Sequence, residues 1–460
     1  MIGGMNMLLR FTCKNYKSYY EETDFLMMSA PKQTGLDYSL LKGQYKSMES
    51  RRKTTVKGLC SSVIYGPNAA GKTSLIGAMD AMRSIVLRGN IRNHVEAVTP
   101  NHAASILELI PNKALSKKEP VSFSVDFFEQ GYRFRYGFVA DLGLFLDKNH
   151  KRSILFEELY INDALVFRRD AQNTEENVLQ VEPPEFLRKF YSHPIIEGFS
   201  HAHVIAMETM DPEELFLCNG FKLIFSQKLS TLITNWFAEK FMVIYRADSI
   251  QLINRFTDPQ RKSVYVEQTV NEAAKLFGAT SNAIGYAVGE KDTDPELSSI
   301  IVDAVSGKKV VIPAELLESY GTVRFVNIFP LVIRAMEIGA TLVIDEFDAS
   351  IHPMAIMNIV NLFHNDDINK NHAQLIFNTH NPIFLNSNLL RRDEIKFVER
   401  ESQSNNSTLY SLSDFGTAGE SGVRRNEDYM KNYFVSRYGA ISDIDFAPLF
   451  ENPSTDEGEV

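Results

Sequence analysis

The sequence predicts an α/β fold carrying an antiparallel β layer and an inserted, mostly helical lobe. Three observations support that expectation. The short β-branched run Ser62–Tyr65 leads into Gly66-Pro67-Asn68-Ala69-Ala70-Gly71-Lys72-Thr73, and that into the amphipathic stretch Ser74–Met82. Strand, glycine-bounded loop and helix in that order form a parallel α/β unit with a phosphate-binding loop. Alternating runs over about 120–170 read as antiparallel hairpins: Val121–Phe128 with Tyr132–Phe138, then Ile154–Ile161 with Ala164–Phe167. A second buried run, Ala340–Ile344, ends on adjacent carboxylates, Asp345-Glu346, where ligands bind at strand ends of parallel sheets.

At 460 residues the chain exceeds what one hydrophobic core holds, so two or three lobes are expected. An apolar share of 44% and a charged share of 23% are those of an ordinary globular protein. A net charge of −10 and a pI of about 5.6 argue against a globally basic nucleic-acid binder. Cys13, Cys60 and Cys218 share no metal-ligand spacing and cannot all pair, which points to a reducing, cytoplasmic setting. Met1–Met5 lacks a signal-peptide apolar core, and no run is apolar enough to span a bilayer, so no membrane partner is expected.

The remaining elements follow in order. Leu8–Cys13 and Asp24–Met28 read as strands, and 32–57 as a polar surface loop. Residues 88–118 are polar and irregular; 185–300 read mostly as helices broken at Pro194, Pro212 and Pro259, with a turn at Asp292–Pro295. No heptad is sustained there, which excludes a long coiled-coil arm. Val310–Pro313 reads as a strand returning to the first lobe. A helix is expected over 323–338, with a kink at Pro330 and Arg324, Asn327, Arg334 and Glu337 on one polar face. Gln374–His380 is a strand ending in an imidazole.

These residue types imply a chemistry. Gly66 and Gly71 let backbone N–H groups turn inward around a polyphosphate, and the new helix points its positive end at the same anion. Pro67, Asn68, Ala69, Ala70 and Ser74 complete that cradle; Lys72 reaches the β- and γ-phosphates, and the Thr73 hydroxyl binds Mg²⁺ with Asp345. Glu346 can orient or deprotonate an attacking water, and His380 can touch the γ-phosphate. Ser319 and Gly321 at a helix start form either an anion site or a plain N-cap.

The order P-loop, Ser319-Tyr320-Gly321, Asp345-Glu346, Asp348, His380 resembles the ABC ATPases, in the sequence Walker A, signature, Walker B, D-loop and switch histidine. Within them it resembles the SMC/RecF/OLD-like branch. Lys14-Asn15-Tyr16-Lys17-Ser18-Tyr19 is similar to that branch's N-terminal motif, which places Lys17 among the nucleotide contacts. Asp345–Pro353, Asn378–Pro382, Leu390–Ile395, Tyr410–Phe415 and Arg437–Ile441 resemble the RloA-like and PARIS-type stand-alone ATPases of bacterial anti-phage systems. The signature lacks its usual double glycine and glutamine, and Gln130, in a hairpin turn, is no Q-loop residue.

The resemblance implies an ABC-type nucleotide-binding domain split into 1–118 and 310–445, around a β layer (119–175) and a helical lobe (176–309), with an acidic tail at 446–460. It implies ATP and Mg²⁺ as cofactors, with ATP sandwiched in a homodimer or higher homo-oligomer in which Ser319, Gly321 and Asp348 serve the neighbour's nucleotide. About 80 residues follow His380, too few for the Toprim domain of OLD-like nucleases, so Asp443-Ile444-Asp445 is a surface acid pair and the effector a separate, nuclease-type protein. Two other readings stay open: a DNA-repair or DNA-structure ATPase with a basic groove of Arg51, Arg52, Lys53, Arg133, Arg135, Arg168 and Arg169, and an ATP-bound scaffold.

Overall fold

A computed structural model describes residues 5–31, 33, 35–93, 103–171, 178–192, 198–246, 268–287, 296–417, 422–441 and 447. The chain opens with β1 (Asn6–Lys14) and β2 (Thr23–Leu26), as the apolar runs predict. Over 32–57 the expected loop is replaced by an antiparallel ribbon, β3 (Leu40–Lys46) and β4 (Lys53–Leu59). In β3 only Leu41, Gly43 and Tyr45 are buried, and the glycine at the middle buried position leaves the two-residue period without its central apolar side chain.

β5 (Ser61–Tyr65), the loop and α1 (Lys72–Arg88) form the expected unit. β6 (Val121–Glu129), β7 (Tyr132–Asp141), β8 (Ser153–Ile161) and β9 (Ala164–Asp170) form the expected hairpins, and β10 (Val178–Val181) extends them. Gln130 (φ 50°) and Gly131 (φ 82°) make the two-residue turn between β6 and β7.

The middle of the chain holds α2 (Phe199–Glu208), α3 (Gln227–Asn235) and α4 (Gln268–Phe277), but strands too. β11 (Phe241–Ile244) sits in the stretch read as helical and joins the central sheet. β12 (Ala283–Ala287), β13 (Glu296–Val302) and β14 (Lys309–Pro313) form a small antiparallel sheet. β14 therefore does not return to the first lobe; its partner β13 lies just upstream, in a stretch whose short polar and apolar pieces gave no clear period. The turn at 292–295, the breaks at Pro194 and Pro259, the Asp443–Asp445 pair and nearly all of the acidic tail lie outside the described residues.

α5 (Tyr320–Ile338) runs on through Pro330, capped by Ser319 at its start and by Gly339 (φ 67°) at its end. β15 (Thr341–Ile344), α6 (Pro353–His364), β16 (Gln374–Asn378), β17 (Ile395–Arg400), β18 (Ser407–Ser411) and α7 (Tyr429–Phe434) complete the chain.

The central sheet has the order β11-β15-β16-β5-β17-β18, parallel except for its last pair. The middle strands carry apolar runs, Val63–Tyr65, Leu342–Ile344 and Leu375–Phe377, because both faces are covered there. Ile64, Val343, Ile376 and Val398 face the core shared with α1 and the antiparallel sheet. Val63, Tyr65, Leu342, Ile344, Leu375 and Phe377 face the core shared with α5 and α6. The antiparallel sheet, β10-β9-β8-β7-β6-β1-β2, is joined to the central one by an aromatic stack. Phe134, Phe127, Trp236 and Phe241 follow each other at centroid spacings of 4.9, 4.0 and 5.1 Å with nearly parallel planes.

Asn6 locks this junction: its Oδ1 accepts from Trp236 Nε1 (2.6 Å), and its Nδ2 donates to the Gly339 carbonyl. Both partners are buried, so Asn6→Ala is expected to cost about 2–3 kcal/mol, as orphaned buried polar groups do. Urea unfolding followed by the fluorescence of the only tryptophan measures this; a midpoint unchanged from wild type would remove the lock.

Candidate functional site

Three strand ends meet at one place. β5, β15 and β16 are parallel, with Ile344 opposite Phe377 and Asn378 opposite Ile64. The loop 66–71, the pair Asp345-Glu346 and the pair Thr379-His380 therefore emerge side by side at the carboxyl edge.

Sterics explain the loop glycines. A Cβ on Gly66 would lie 2.4 Å from the Val398 carbonyl oxygen, and one on Gly71 (φ 121°) 2.4 Å from Ser407 Oγ. Lys72 is buried and folds back over the loop, with Nζ donating to the carbonyls of Gly66 (2.7 Å) and Pro67 (2.9 Å). Burial brings its pKa down to about 8, against the pull of Asp345 and Glu346.

Below it, Thr73 Oγ1 donates to Asp345 Oδ1 at 3.1 Å, and Asn378 Nδ2 donates to the same oxygen. Burial pushes the Asp345 carboxyl up, and these two hydrogen bonds oppose that. Asn378 has a second role: its Oδ1 accepts the Glu346 N–H. Arg324 Nη2 donates to the Glu346 carbonyl at 2.6 Å. Glu346 is thus held on both sides in a left-handed conformation, φ 50°, which a glutamate rarely adopts. Its side chain is exposed and reaches the cavity. Arg324 is itself buried, so the expected polar face of its helix does not include it.

Asp348 Oδ2 accepts from Thr379 Oγ1 at 2.6 Å, and burial pushes its carboxyl up. His380 is exposed to the cavity; partial desolvation and the nearby Lys72 ammonium hold its pKa below the ordinary histidine value.

One cavity of about 650 Å³ gathers these groups. Of the expected residues, Lys17, Asn68, Ala69, Gly71, Lys72, Thr73, Ser74, Glu346 and His380 line it. Gly66, Pro67, Ala70 and Asp345 belong to the same loop and strand end without lining it. Ser319, Gly321 and Asp348 do not line it. Ser319 Oγ accepts from Thr322 N (3.1 Å) and so caps the helix, and Gly321 packs against the Ser350 carbonyl.

Sequence reasoning missed several members. Ser18 and Asn378 sit inside quoted motifs, but nothing local announces their bonds. Ser407 Oγ links Ser18 Oγ (2.8 Å) to the Ala70 carbonyl, and Arg400 Nη1 donates to the Ala69 carbonyl at 3.1 Å. These contacts span more than three hundred residues, which no periodicity encodes.

The basic residues proposed for a nucleic-acid groove are largely engaged elsewhere. Arg133 pairs with Asp126 (2.6 Å) and Asp163 (3.3 Å), Arg168 with Glu158 (3.2 Å), and Arg135 stacks on Tyr160 at 4.2 Å. Arg169 is buried and bonds the Glu214 and Asp211 carbonyls. A Ser61–His364–Glu394 cluster has the composition of a hydrolytic triad but not its wiring. Ser61 and Glu394 both meet His364 Nε2 (2.9 and 3.1 Å), and all three residues are buried.

Thr73 and Asp345 offer hard oxygen donors, the set Mg²⁺ prefers. Among the described residues no group of three or more His, Cys, Asp or Glu could hold a metal by itself, so such an ion would draw further ligands from phosphate and water. No helix of the described residues is long and apolar enough to cross a membrane.

A family model described as "AAA domain, putative AbiEii toxin, Type IV TA system" matches residues 61–196 and 230–386, more than half of the chain. No curated protein matches the sequence. Among solved structures, the SMC head domain from Thermotoga maritima is 13% identical with a TM-score of 0.34, over 88% of this chain and 98% of that one. An SmcHead bound to the C-winged helix domain of ScpA is 12% identical with a TM-score of 0.36, over 88% and 97%. A Pyrococcus furiosus Smc head domain bound to the C-terminal domain of ScpA is 11% identical with a TM-score of 0.35, over 88% and 96%. At these scores the fold assignment rests on the strand order and the loop, not on the likeness.

A bound polyphosphate needs a protonated Lys72, whereas the free chain holds its pKa near 8, below the 10.5 of an ordinary lysine. Binding then takes up a proton over that window. Polyphosphate affinity is expected to be full below about pH 8 and to fall by up to about tenfold per unit above it. In Lys72→Arg, where the cation stays protonated, whatever affinity remains should lose this decline. Calorimetric titrations from pH 7 to 9.5 decide it; a flat wild-type profile overturns it.

Proposed function

We propose, from the premise that the chain belongs to this AAA-domain family of ATPases, that two copies close over Mg²⁺-bound ATP and that hydrolysis governs a separate toxic effector in bacterial defence against phage. The observation that carries the reading is the meeting of Lys72, Thr73, Asp345, Glu346 and His380 at three adjacent parallel strand ends. The family's description, with its toxin and Type IV TA system, supports the defence setting.

Each residue then has a task. The loop amides and Lys72 hold the phosphates, and Lys72 exchanges the Gly66 and Pro67 carbonyls for phosphate oxygens. Thr73 and Asp345 would hold Mg²⁺, which would supply positive charge to the phosphates. Glu346 accepts a proton from the attacking water, and His380, low in pKa and so neutral near pH 7, hydrogen-bonds the γ-phosphate. A second copy supplies Ser319 and Gly321, which this copy's cavity lacks. The ATP-bound and released states differ in how the copies meet, and that difference is the signal to the effector.

Glu346→Gln is expected to lower turnover by at least about a hundredfold while trapping an ATP-dependent dimer, read by size-exclusion chromatography with light scattering. Retained wild-type turnover removes Glu346 from the role of base. Asn378→Ala is expected to lower kcat about 10- to 100-fold with KM for ATP little changed, because it frees the backbone that aims Glu346. Coexpression with the adjacent gene tests the setting: toxicity that needs both genes and an intact Lys72 supports defence, and none under phage challenge opposes it.

A further inference from the structure

We infer that the cavity holds a nucleobase-stacking subsite with Phe145 as its aromatic face, and that the chain binds purine nucleoside triphosphates by the face of the base and not by its edge. This rests on the ATPase reading and goes beyond it in naming what holds the base and what it selects.

The cavity's lining has two unlike parts. One is the phosphate loop; the other is the apolar group Leu109, Pro111 and Phe145, with Asn112 and Lys113 beside it in the chain. A nucleoside triphosphate has the same polarity, charged at one end and flat and weakly polar at the other. A phosphate site alone would not need the second wall. Phe145 is 37% exposed, an uncovered aromatic facing a cavity.

The wall is built, not incidental. The Leu146 N–H donates to the Glu108 carbonyl at 2.9 Å, and Arg152 pairs with the Glu108 carboxylate at 2.7 Å, each side chain 7% exposed. The loop bearing Phe145 is thus pinned to the segment bearing Leu109 and Pro111. That segment is pinned in turn to the N-terminal loop: the Lys17 N–H donates to the Ile110 carbonyl (2.7 Å), and the Asn112 N–H to Asn15 Oδ1 (3.1 Å). The same loop carries Ser18, which Ser407 ties to the phosphate loop. Base wall and phosphate cradle therefore hang from one tether, which fixes their separation.

The wall's buried polar side chain is already engaged. Asn112 Nδ2 donates to Asn406 Oδ1 (3.1 Å), and its Oδ1 accepts the Ala114 N–H (2.8 Å). These two bonds fix the Asn112 amide against the protein's own groups, so its orientation is set without regard to the amino group of adenine or the carbonyl of guanine. Stacking reads ring area, so purines outrank pyrimidines, and the two purines are nearly equal.

The test is equilibrium binding of ATP, GTP, CTP and inorganic tripolyphosphate, each with Mg²⁺, to the full-length wild type, Phe145→Ala, Phe145→Trp and Lys72→Ala. In the wild type, ATP and GTP are expected to bind within about threefold of each other, and both more tightly than CTP or tripolyphosphate. Phe145→Ala should weaken ATP and GTP about tenfold, leave tripolyphosphate unchanged and keep the wild-type circular dichroism; Phe145→Trp should restore the purines. Equal ATP affinity in wild type and Phe145→Ala, or ATP no tighter than tripolyphosphate, overturns the subsite. A preference of tenfold or more between ATP and GTP overturns recognition by the face. A different failure marks the parent reading: if Lys72→Ala binds tripolyphosphate as wild type does, or wild type binds no triphosphate, the phosphate site falls and the subsite with it.

Discussion

The parallel pairing of β15, β16 and β5 is the constraint on which the site depends. It is secured at both ends by side-chain amides. At the amino edge, buried Gln374 accepts from Thr341 Oγ1 (2.9 Å) and donates to the Leu59 carbonyl (2.8 Å), while exchanging bonds with the backbone of Leu8. At the carboxyl edge, Asn378 bonds both Asp345 and the Glu346 backbone. A one-residue slip would turn Asp345 toward the core and Ile344 toward the ligand side, and both amides would lose their partners. Register and chemistry are therefore specified together.

Glu346 shows how that rigidity is used. A left-handed glutamate costs on the order of 1–3 kcal/mol, and it persists because neighbours over-determine it. Asn378 holds its N–H from one strand, and Arg324 holds its carbonyl from α5. Arg324 sits on the helix two residues upstream of which Glu318 accepts from the N–H groups of Thr280 and Ser281, beside the small β12–β14 sheet. The carboxylate that faces the cavity is thus connected, through one helix, to the small β12–β14 sheet.

Much of this was legible in the sequence, for definite reasons. The loop glycines, Lys72 and the carboxylates at the end of Ala340–Ile344 announce themselves because their residue types and spacing are dictated by short-range backbone geometry. The hairpins of 121–170 were readable from a strict two-residue period and a Gln-Gly turn. The β3–β4 ribbon was not, since its inward positions include Gly43, Thr54 and Val56 and so carry little apolar signal, and neither was β11, whose four residues pair with β15. In the site, the groups that escaped notice are the ones whose roles arise from distant pairings: Asn378 with Glu346 and Arg324 with the Glu346 carbonyl.

The motif least settled by its letters is Ser319-Tyr320-Gly321. Gly321 has a sufficient reason inside one chain, because a Cβ there would lie 2.4 Å from the Ser350 carbonyl oxygen. Ser319 has one too, as the cap of α5. Neither identity requires a partner. What the local reasons leave unexplained is position: Tyr320, on the helix start that Gly321 couples to the turn after Glu346, is 64% accessible, and Leu316, in the short turn of helix just upstream, is 78% accessible. An exposed helix start with an apolar neighbour, tied through a close backbone contact to the turn after Glu346, is suited to the shared site proposed above. The case for a shared site thus rests on where this turn sits and what it touches, and the glycine is needed for that contact whether or not its amide also meets a phosphate.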